Sequence, residues 1–475
     1  MFVFLLFLRV LPSNRMNMDI IDINNYFSRY FELFEAEVPK NGVLDGYRKS
    51  AKDAFMRDGM PDTSREEWRH FPWKQVTGKP YRLQFSPEPY RPMETFFQCS
   101  TQAINSEMFP FLNGWYLHCD APLTRFPNGV MAGSLLEAAR ICPDLVKGHL
   151  QTFSKGANGL VHFNRAMFQD GFFVYVPDHV KVHNPVQLVN MVKSEEDILV
   201  QPHHLIILGE GSSLKLVHCD ESLECRDSFV NTVVEIHVGP HAAFDYYKLE
   251  NKDNRSTMVN HLFIRQEEGS EVNTHTNVFN GGLVHNTIRT DLCGTHARVN
   301  NNGLYLADGS QHVTNVVSVC HHASDCTSNQ MYKGILDGDA QSFFMGHVLV
   351  DPYAQRTEAH QINRNILLKG TARVSARPFL EIYADDVQCT HGATVGQLDE
   401  EAVFYLRSRG ICEQNARLLL MHAFTKEVID KMDIPAICER TENLVTKRLS
   451  GESINCGNCM QCGRKFDFQV SLPDF

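Results

Sequence analysis

The feature that most constrains the fold is a stretch of more than 200 residues, from about 164 to about 396, that is rich in strand-like segments. Short runs of β-branched and aromatic residues alternate there with Gly, Asn and Asp. Examples are GFFVYVP at 171–177, HHLIILGEGSSLKLVHC at 203–219, FVNTVVEIHVG at 229–239 and GILDGDAQSFFMGHVLV at 334–350. Apolar runs bounded by turn residues are typical of β-strands, so the stretch predicts a large all-β body.

The sequence pattern alone does not decide how these strands are arranged. Several runs are apolar on both faces, which suits strands that neighbouring layers cover on both sides. Many short strands with Asn and Gly turns and no helices between them fit a stacked β-helix. A sandwich or a barrel fits the same pattern about equally well, because the stretch contains no sharp repeat motif.

Helix-like sequence flanks the β body on both sides. From Met18 to about residue 75, apolar residues recur at helical spacing. After Leu398, three acidic residues at 399–401 favour a helix N-terminus, and Gly410 predicts the end of that helix. Pro435 then separates the next helix from a last one.

These changes in sequence pattern predict five segments. The first residues hold an apolar run that is too short to span a bilayer and lacks the positive start of a secretory signal. We interpret them as an upstream leader, with a vestigial targeting peptide as the alternative. The predicted organisation is a leader at 1–17, an N-terminal helical and mixed domain at 18–165, a β core at 166–396, a C-terminal helical domain at 397–450 and a Cys-containing tail at 451–475.

Charge and composition exclude several classes of partner. The net charge of −11 and the pI of about 6.0 argue against a dedicated binder of nucleic acid or of an anionic membrane. The 14 cysteines form no regular disulfide framework, which predicts free thiols in a reducing, cytoplasmic environment. The sequence has no P-loop motif, so any ATP hydrolysis in its process is expected from a partner.

Cys389 and His391 are the first candidate site, in the stretch DVQCTHGAT at 386–394. In a strand, residues two apart lie on one face about 6.6 Å apart, so Val387, Cys389 and His391 would share a face. A thiolate and an imidazole can bind one metal ion or form a nucleophile–base pair. On composition alone, a buried thiol and a core histidine are the more frequent outcome.

Two further groups have metal-binding residue types. Cys456, Cys459 and Cys462 form a C-x2-C-x2-C pattern in the tail, which favours a zinc or iron site there over incidental thiols. The run Cys320–His321–His322, with Cys326 nearby, lies within the β body. Residues of this kind without a visible fourth partner are more often structural.

Two long segments carry a family resemblance. MYKGILDGDAQSFFMGHVLVDPYAQRTEAHQINRNILL at 331–368 and LEIYADDVQCTHGATVGQLDEEAVFYLRSRGI at 380–411 resemble the SufB/SufD family of iron–sulfur cluster assembly proteins. The chain resembles the SufD branch most, because the region 371–387 lacks the cysteine of the SufB branch and the later motif reads HGAT rather than HEAT.

The resemblance implies a right-handed parallel β-helix core between helical domains. It implies a heterodimer with a SufB-like subunit and a transient iron–sulfur cluster at the interface, near His391 and Cys389. It also implies that a SufC-like ATPase docks on the C-terminal helices, for which we name Phe404, Leu406, Arg407, Arg409 and Phe424. A homodimer of the isolated chain is a further expectation.

The leading hypothesis is therefore a non-catalytic scaffold subunit, and two other classes compete with it. A β-helix carbohydrate-active enzyme needs paired carboxylates. Its only candidates are Asp385–Asp386 and Asp337–Gly338–Asp339, and the second reads better as a turn. A standalone metal-binding protein would act through the cysteines of the tail.

Overall fold

The computed structural model describes residues 20–38, 40–61, 63–88, 106–117, 121–150 and 157–450. The predicted leader and the predicted Cys-containing tail lie outside these residues. Nine α-helices are found in the described part of the chain: α1 (Ile20–Glu37), α2 (Gly42–Asp58), α3 (Trp73–Thr77), α4 (Leu135–Ile141), α5 (Pro143–His149), α6 (Gly159–Met167), α7 (Glu400–Ser408), α8 (Glu413–Ile429) and α9 (Pro435–Leu449).

The strands of the same residues are short and numerous. They are β1 (Arg82–Leu83), β2 (Glu107–Leu112), β3 (Trp115–Tyr116), β4 (Leu123–Arg125), β5 (Met131–Ser134), β6 (Phe172–Val176), β7 (Val186–Ser194), β8 (Ile198–Val200), β9 (His203–Leu208), β10 (Ser213–Cys225), β11 (Ser228–Val238), β12 (Ala243–Asn251), β13 (Ser256–Gln266), β14 (Glu271–Asn280), β15 (Leu283–Leu292), β16 (Arg298–Ala307), β17 (His312–His321), β18 (Thr327–Leu336), β19 (Gln341–Val350), β20 (Thr357–Leu367), β21 (Arg373–Ile382) and β22 (Val387–Gly396).

The strands form two sheets that the chain visits alternately. One sheet runs in the order β21-β19-β17-β15-β13-β11-β9-β6-β5-β4, and we call it the odd-numbered sheet after its strands from β9 to β21. The other runs in the order β22-β20-β18-β16-β14-β12-β10-β7-β2-β3, and we call it the even-numbered sheet after its strands from β10 to β22. From β11 onward each strand pairs in parallel with the strand two places earlier. A chain that coils between two parallel sheets in this way is a β-helix, and this confirms the mainly β fold with a parallel β-helix core.

Over most turns before the last, both faces of the two sheets are covered, which explains the runs that are apolar on both sides. Inward-facing residues of successive turns form one continuous core, which includes Phe244, Val272 and Val299. The N-terminal helices pack aromatic side chains on the outer face of the odd-numbered sheet, around Phe229. Helices α8 and α9 cover the outer face of the even-numbered sheet, where they contact Leu249 and neighbouring residues.

The ends of the flanking helices follow local chemistry. The Asp399 carboxylate accepts hydrogen bonds from the backbone N–H groups of Glu401 and Ala402, and this caps α7. Gly410 follows that helix with a φ of 88°, a conformation that favours glycine. A short 3-10 helix at Glu66–Trp68 precedes α3.

The N-terminal segment also supplies strands to the β-helix. β2 pairs with β7 in one sheet and β5 pairs with β6 in the other. The domain boundary at 165–166 therefore stays a prediction. Within the described residues, none of the helices is both long enough and apolar enough to cross a membrane.

Candidate functional site

The candidate site lies on the last turn of the β-helix. Among the described residues, β21 pairs only with β19, and β22 pairs only with β20. Both strands are ten residues long, and each leaves one row of backbone N–H and C=O groups without a neighbouring strand. An exposed parallel edge of this length is a template for pairing with another chain.

Cys389 and His391 lie on the inner face of β22, as the strand spacing predicts. Cys389 is in register with Ala359 and His391 with Gln361, both of which are buried. The Cys389 side chain is half-buried and packs against an apolar cluster at the end of the helix interior. Burial raises the pKa of this thiol, and a backbone hydrogen bond involving Ala359 opposes that shift. The His391 side chain is exposed.

The two side chains terminate two very different columns of stacked residues. The column that ends at Cys389 is mostly apolar and runs Leu214, Phe244, Val272, Val299, Ser328, Ala359 and Cys389. The column that ends at His391 becomes polar after two turns and runs Leu216, Tyr246, Thr274, Asn301, Gln330, Gln361 and His391. His391 is therefore the exposed end of a buried polar ladder.

Most amide atoms at the polar end of this ladder find no hydrogen-bond partner in the described residues. In the described part of the chain, the nitrogen of Asn301 and both polar atoms of Gln330 and of Gln361 have no hydrogen-bond partner. A buried polar atom left in this way costs about 1–3 kcal/mol. Native proteins retain such groups where water, an ion or a functional ligand meets them. The ladder therefore marks the interior next to His391 as a polar site rather than a packed core.

Large apolar side chains are exposed around the same open end. An exposed apolar patch rimmed by polar residues is typical of a surface that binds another protein. The exposed residues of the last turn and its corners are Tyr353, Phe379, Ile382, Tyr383 and Val395.

The predicted ATPase-docking residues fall into two groups. Phe404 is 72% exposed on α7, and the exposed Arg407 and Arg409 lie on the same helix or directly after it. Leu406 is half-buried. Phe424 differs from the others: its ring packs against the core beneath α8 and lies 4.5 Å from the Lys333 ammonium, so it supports the helix rather than a free surface.

Sequence reasoning missed two residues of this helical surface. Tyr405 is 57% exposed, and the Arg409 guanidinium lies 5.2 Å from the centre of its ring. Leu419 on α8 is 42% exposed. Phe404, Tyr405 and Leu419 are thus exposed apolar residues of the first two C-terminal helices. Helical periodicity alone does not distinguish a core residue from an exposed apolar one.

The remaining metal candidates separate in the structure. The cysteines of the tail lie outside the described residues. Cys320 and His322 come together with Asp291, a residue that the sequence pattern did not single out. His321 is buried and forms a hydrogen bond of 2.9 Å with Ser328, and Cys326 belongs to the apolar core.

Comparison with known proteins gives the family. The model of the SufBD core domain of the SUF system for FeS cluster assembly matches residues 190–424, and the model of the SufBD N-terminal region matches residues 22–188. The chain belongs to the SufBD family. This confirms the resemblance that the segments at 331–368 and 380–411 carry.

Individual relatives match over most of the chain. The iron–sulfur cluster assembly protein SufD of Escherichia coli is 24% identical over 90% of this chain and 98% of its own length. The chloroplastic protein ABCI7 of Arabidopsis thaliana is 26% identical over 88% of this chain and 91% of its own length. The SufD protein of Bacillus subtilis is 26% identical over 68% of this chain and 74% of its own length.

Proposed function

We propose that this SufBD-family chain is a non-catalytic, SufD-like scaffold subunit on which iron–sulfur clusters are assembled at an interface with a SufB-like partner. The observation that carries the proposal is the position of Cys389 and His391 on the inner face of an unpaired last strand. Two ligands at such an edge do not complete the coordination of a metal ion, and the chain that pairs with the edge supplies the others.

The chemistry of the two side chains suits a transient cluster. Thiolate sulfur and imidazole nitrogen are both ligands of iron–sulfur centres. Two protein ligands on this side leave the remaining iron positions to the partner, so that a cluster is held at the interface and released when the interface opens. The raised pKa of the Cys389 thiol keeps it protonated until iron displaces the proton.

The open end supplies the surface for the SufB-like partner. β21 and β22 offer hydrogen-bonding edges, and Tyr383 and Val395 are exposed apolar residues beside them. The same edge suits a second copy of this chain, so a homodimer of the isolated protein is part of the proposal. Val395→Asp places a charge in this surface and is expected to weaken either dimer.

The C-terminal helices supply the surface for a SufC-like ATPase. Phe404, Tyr405 and Leu419 are the apolar anchors, and Arg409 is held against the Tyr405 ring. ATP hydrolysis by the partner would move α7, which begins only four residues after β22 ends. The short connection would transmit that movement to the strand that carries Cys389 and His391.

Co-purification of the full chain tests the assembly. We expect a SufB-like protein and a P-loop ATPase to be recovered with the wild-type chain. Phe404→Asp is expected to lose the ATPase and retain the SufB-like protein, whereas Val395→Asp is expected to lose the SufB-like protein. Recovery of neither partner with the wild-type chain would contradict the proposal.

The tail is proposed as an accessory zinc or iron site through Cys456, Cys459 and Cys462. Its support is the spacing of the three thiols. Truncation after residue 450 is expected to lower the bound metal without loss of complex formation. Unchanged metal content after truncation would show that these thiols do not bind it.

A further inference from the structure

A second group of metal-ligating side chains lies on the outer face of the odd-numbered sheet, away from His391. Asp291 of β15 is in register with Cys320 of β17, and His322 directly follows the end of β17. One ligand atom from each of the three side chains lies within 4.8 Å of the other two. The parallel register alone brings Asp291 and Cys320 together, although 28 residues of chain lie between them.

His322 is oriented on both sides of its ring. Its Nε2 lies 3.0 Å from Asp291 Oδ1, and its Nδ1 lies 2.7 Å from Asp351 Oδ2. Metal-bound histidines usually donate their other ring N–H to a carboxylate, which fixes the ring and its tautomer. Asp351 is the carboxylate that binds Nδ1 of His322 here. Nε2 of the same ring faces Asp291 and is available for a metal ion.

Arg289 holds the carboxylate of Asp291 in place. It donates to both oxygens of Asp291, at 3.1 Å and 2.8 Å. The hydrogen bonds of His322 to Asp291 and Asp351 raise the pKa of its imidazole, and burial raises the pKa of the Cys320 thiol to about 12.

A divalent cation can bond to one atom of each of the three side chains. When the ion bonds to Cys320 Sγ and His322 Nε2, the thiol proton and any proton on Nε2 leave to solvent. Arg289 can keep its hydrogen bond to the oxygen of Asp291 that the metal does not use.

We propose that Asp291, Cys320 and His322 form a binding site for a zinc-class divalent ion, with Asp351 as a positioning residue. Mixed sulfur, nitrogen and oxygen ligands are typical of Zn²⁺, and three protein ligands leave a fourth position for water or an exogenous ligand. Cys320 is fully buried, whereas Asp291 and His322 are partly exposed, so an ion can enter from solvent. The site is independent of the proposed cluster-assembly function.

Titration with Co²⁺, a spectroscopic substitute for Zn²⁺, tests the site. The protein is the full chain with Cys389 and the three tail cysteines changed to serine, so that these other candidate ligands do not contribute. We expect one Co²⁺ per chain, a thiolate-to-cobalt absorption band, and loss of the band when Zn²⁺ is added. Cys320→Ser should abolish the band.

Cys293→Ser is the matched control, because this half-buried thiol lies 3.8 Å from the Asp291 carbonyl oxygen but outside the group of three. It should keep the band. Asp351→Asn should keep the stoichiometry and weaken Co²⁺ binding about 10–100-fold. If Cys320→Ser does not fold, His322→Gln should lose the ion in its place. A band that survives Cys320→Ser or His322→Gln, or one that is lost in Cys293→Ser, would overturn the proposal, as would the absence of stoichiometric binding.

Discussion

Replacement of Gly346 by alanine should disturb the polar ladder from the opposite sheet. Gly346 is a buried residue on the inner face of β19, and a β-carbon built there overlaps the side-chain amide of Gln361. Gln361 is 1% exposed, so its amide has no open solvent into which it can move. The amide has no hydrogen-bond partner among the described residues, so the cost of displacing it is steric.

The magnitude follows from two opposing effects. Overpacking of a closed interior costs about 1–3 kcal/mol, whereas alanine in a strand interior is favoured over glycine by about 0.5–1 kcal/mol. We expect Gly346→Ala to lower the free energy of unfolding by about 1–2 kcal/mol, measured by equilibrium urea denaturation. Gly392→Ala is the control, because a β-carbon there has no neighbour within 4 Å, and it should be neutral or stabilising.

A double-mutant cycle isolates the contact. Gln361→Ala removes the amide with which the new β-carbon collides, so Gly346→Ala should cost nothing further in that background. The expected coupling energy is about 1–3 kcal/mol. Equal destabilisation by Gly346→Ala in the presence and absence of the Gln361 side chain would refute the reasoning.

Two other predictions concern buried charges. Burial raises the pKa of Asp170 to about 6, so the folded chain holds this proton more tightly than the unfolded chain, whose carboxyl titrates near 4. The free energy of unfolding should therefore fall as the pH rises from about 4 to about 6. Asp170→Asn should remove a contribution of about 3 kcal/mol to that fall, which a comparison of the urea midpoints of the two proteins across this pH range would measure. Parallel pH profiles of the two proteins would contradict the prediction. Arg440 of α9 donates to buried Glu221 of β10 at 2.7 Å, and Arg440→Met should destabilise the chain by about 3–5 kcal/mol because it leaves a buried carboxylate short of its charged partner. The added change Glu221→Gln should recover part of that loss, and a double variant as unstable as Arg440→Met would count against the explanation.

Much of the architecture follows from local sequence. The strand-like runs, the helix cap at Asp399 and the stop at Gly410 each depend on a few neighbouring residues, and the structure contains all three. The turn expected at Asp337–Gly338–Asp339 is also present between β18 and β19. The choice of a β-helix over a sandwich came from the family resemblance, because nothing local specifies which strands pair.

The site could be predicted only in part, because its geometry depends on register across whole turns. The shared face of Cys389 and His391 follows from the two-residue period of a strand. The polar ladder below His391 does not, because Gln330 and Gln361 become neighbours only through in-register stacking of turns 31 residues apart. A search for polar residues recurring at the length of one turn would have found it. Asp291 joins Cys320 for the same reason.

Cluster assembly in a reconstituted complex tests the central claim most directly. The full chain is combined with the SufB-like and SufC-like partners that we propose, together with iron, a sulfur donor and ATP, and cluster formation is followed by absorbance and by bound iron. His360→Ala is the matched control, because His360 lies on the neighbouring strand, faces outward and is within 2.8 Å of the Thr390 hydroxyl. We predict that His391→Ala lowers the assembly rate at least about tenfold, the scale typical of lost metal-site residues, while His360→Ala leaves it unchanged. Normal assembly with His391→Ala in an intact complex would contradict the account.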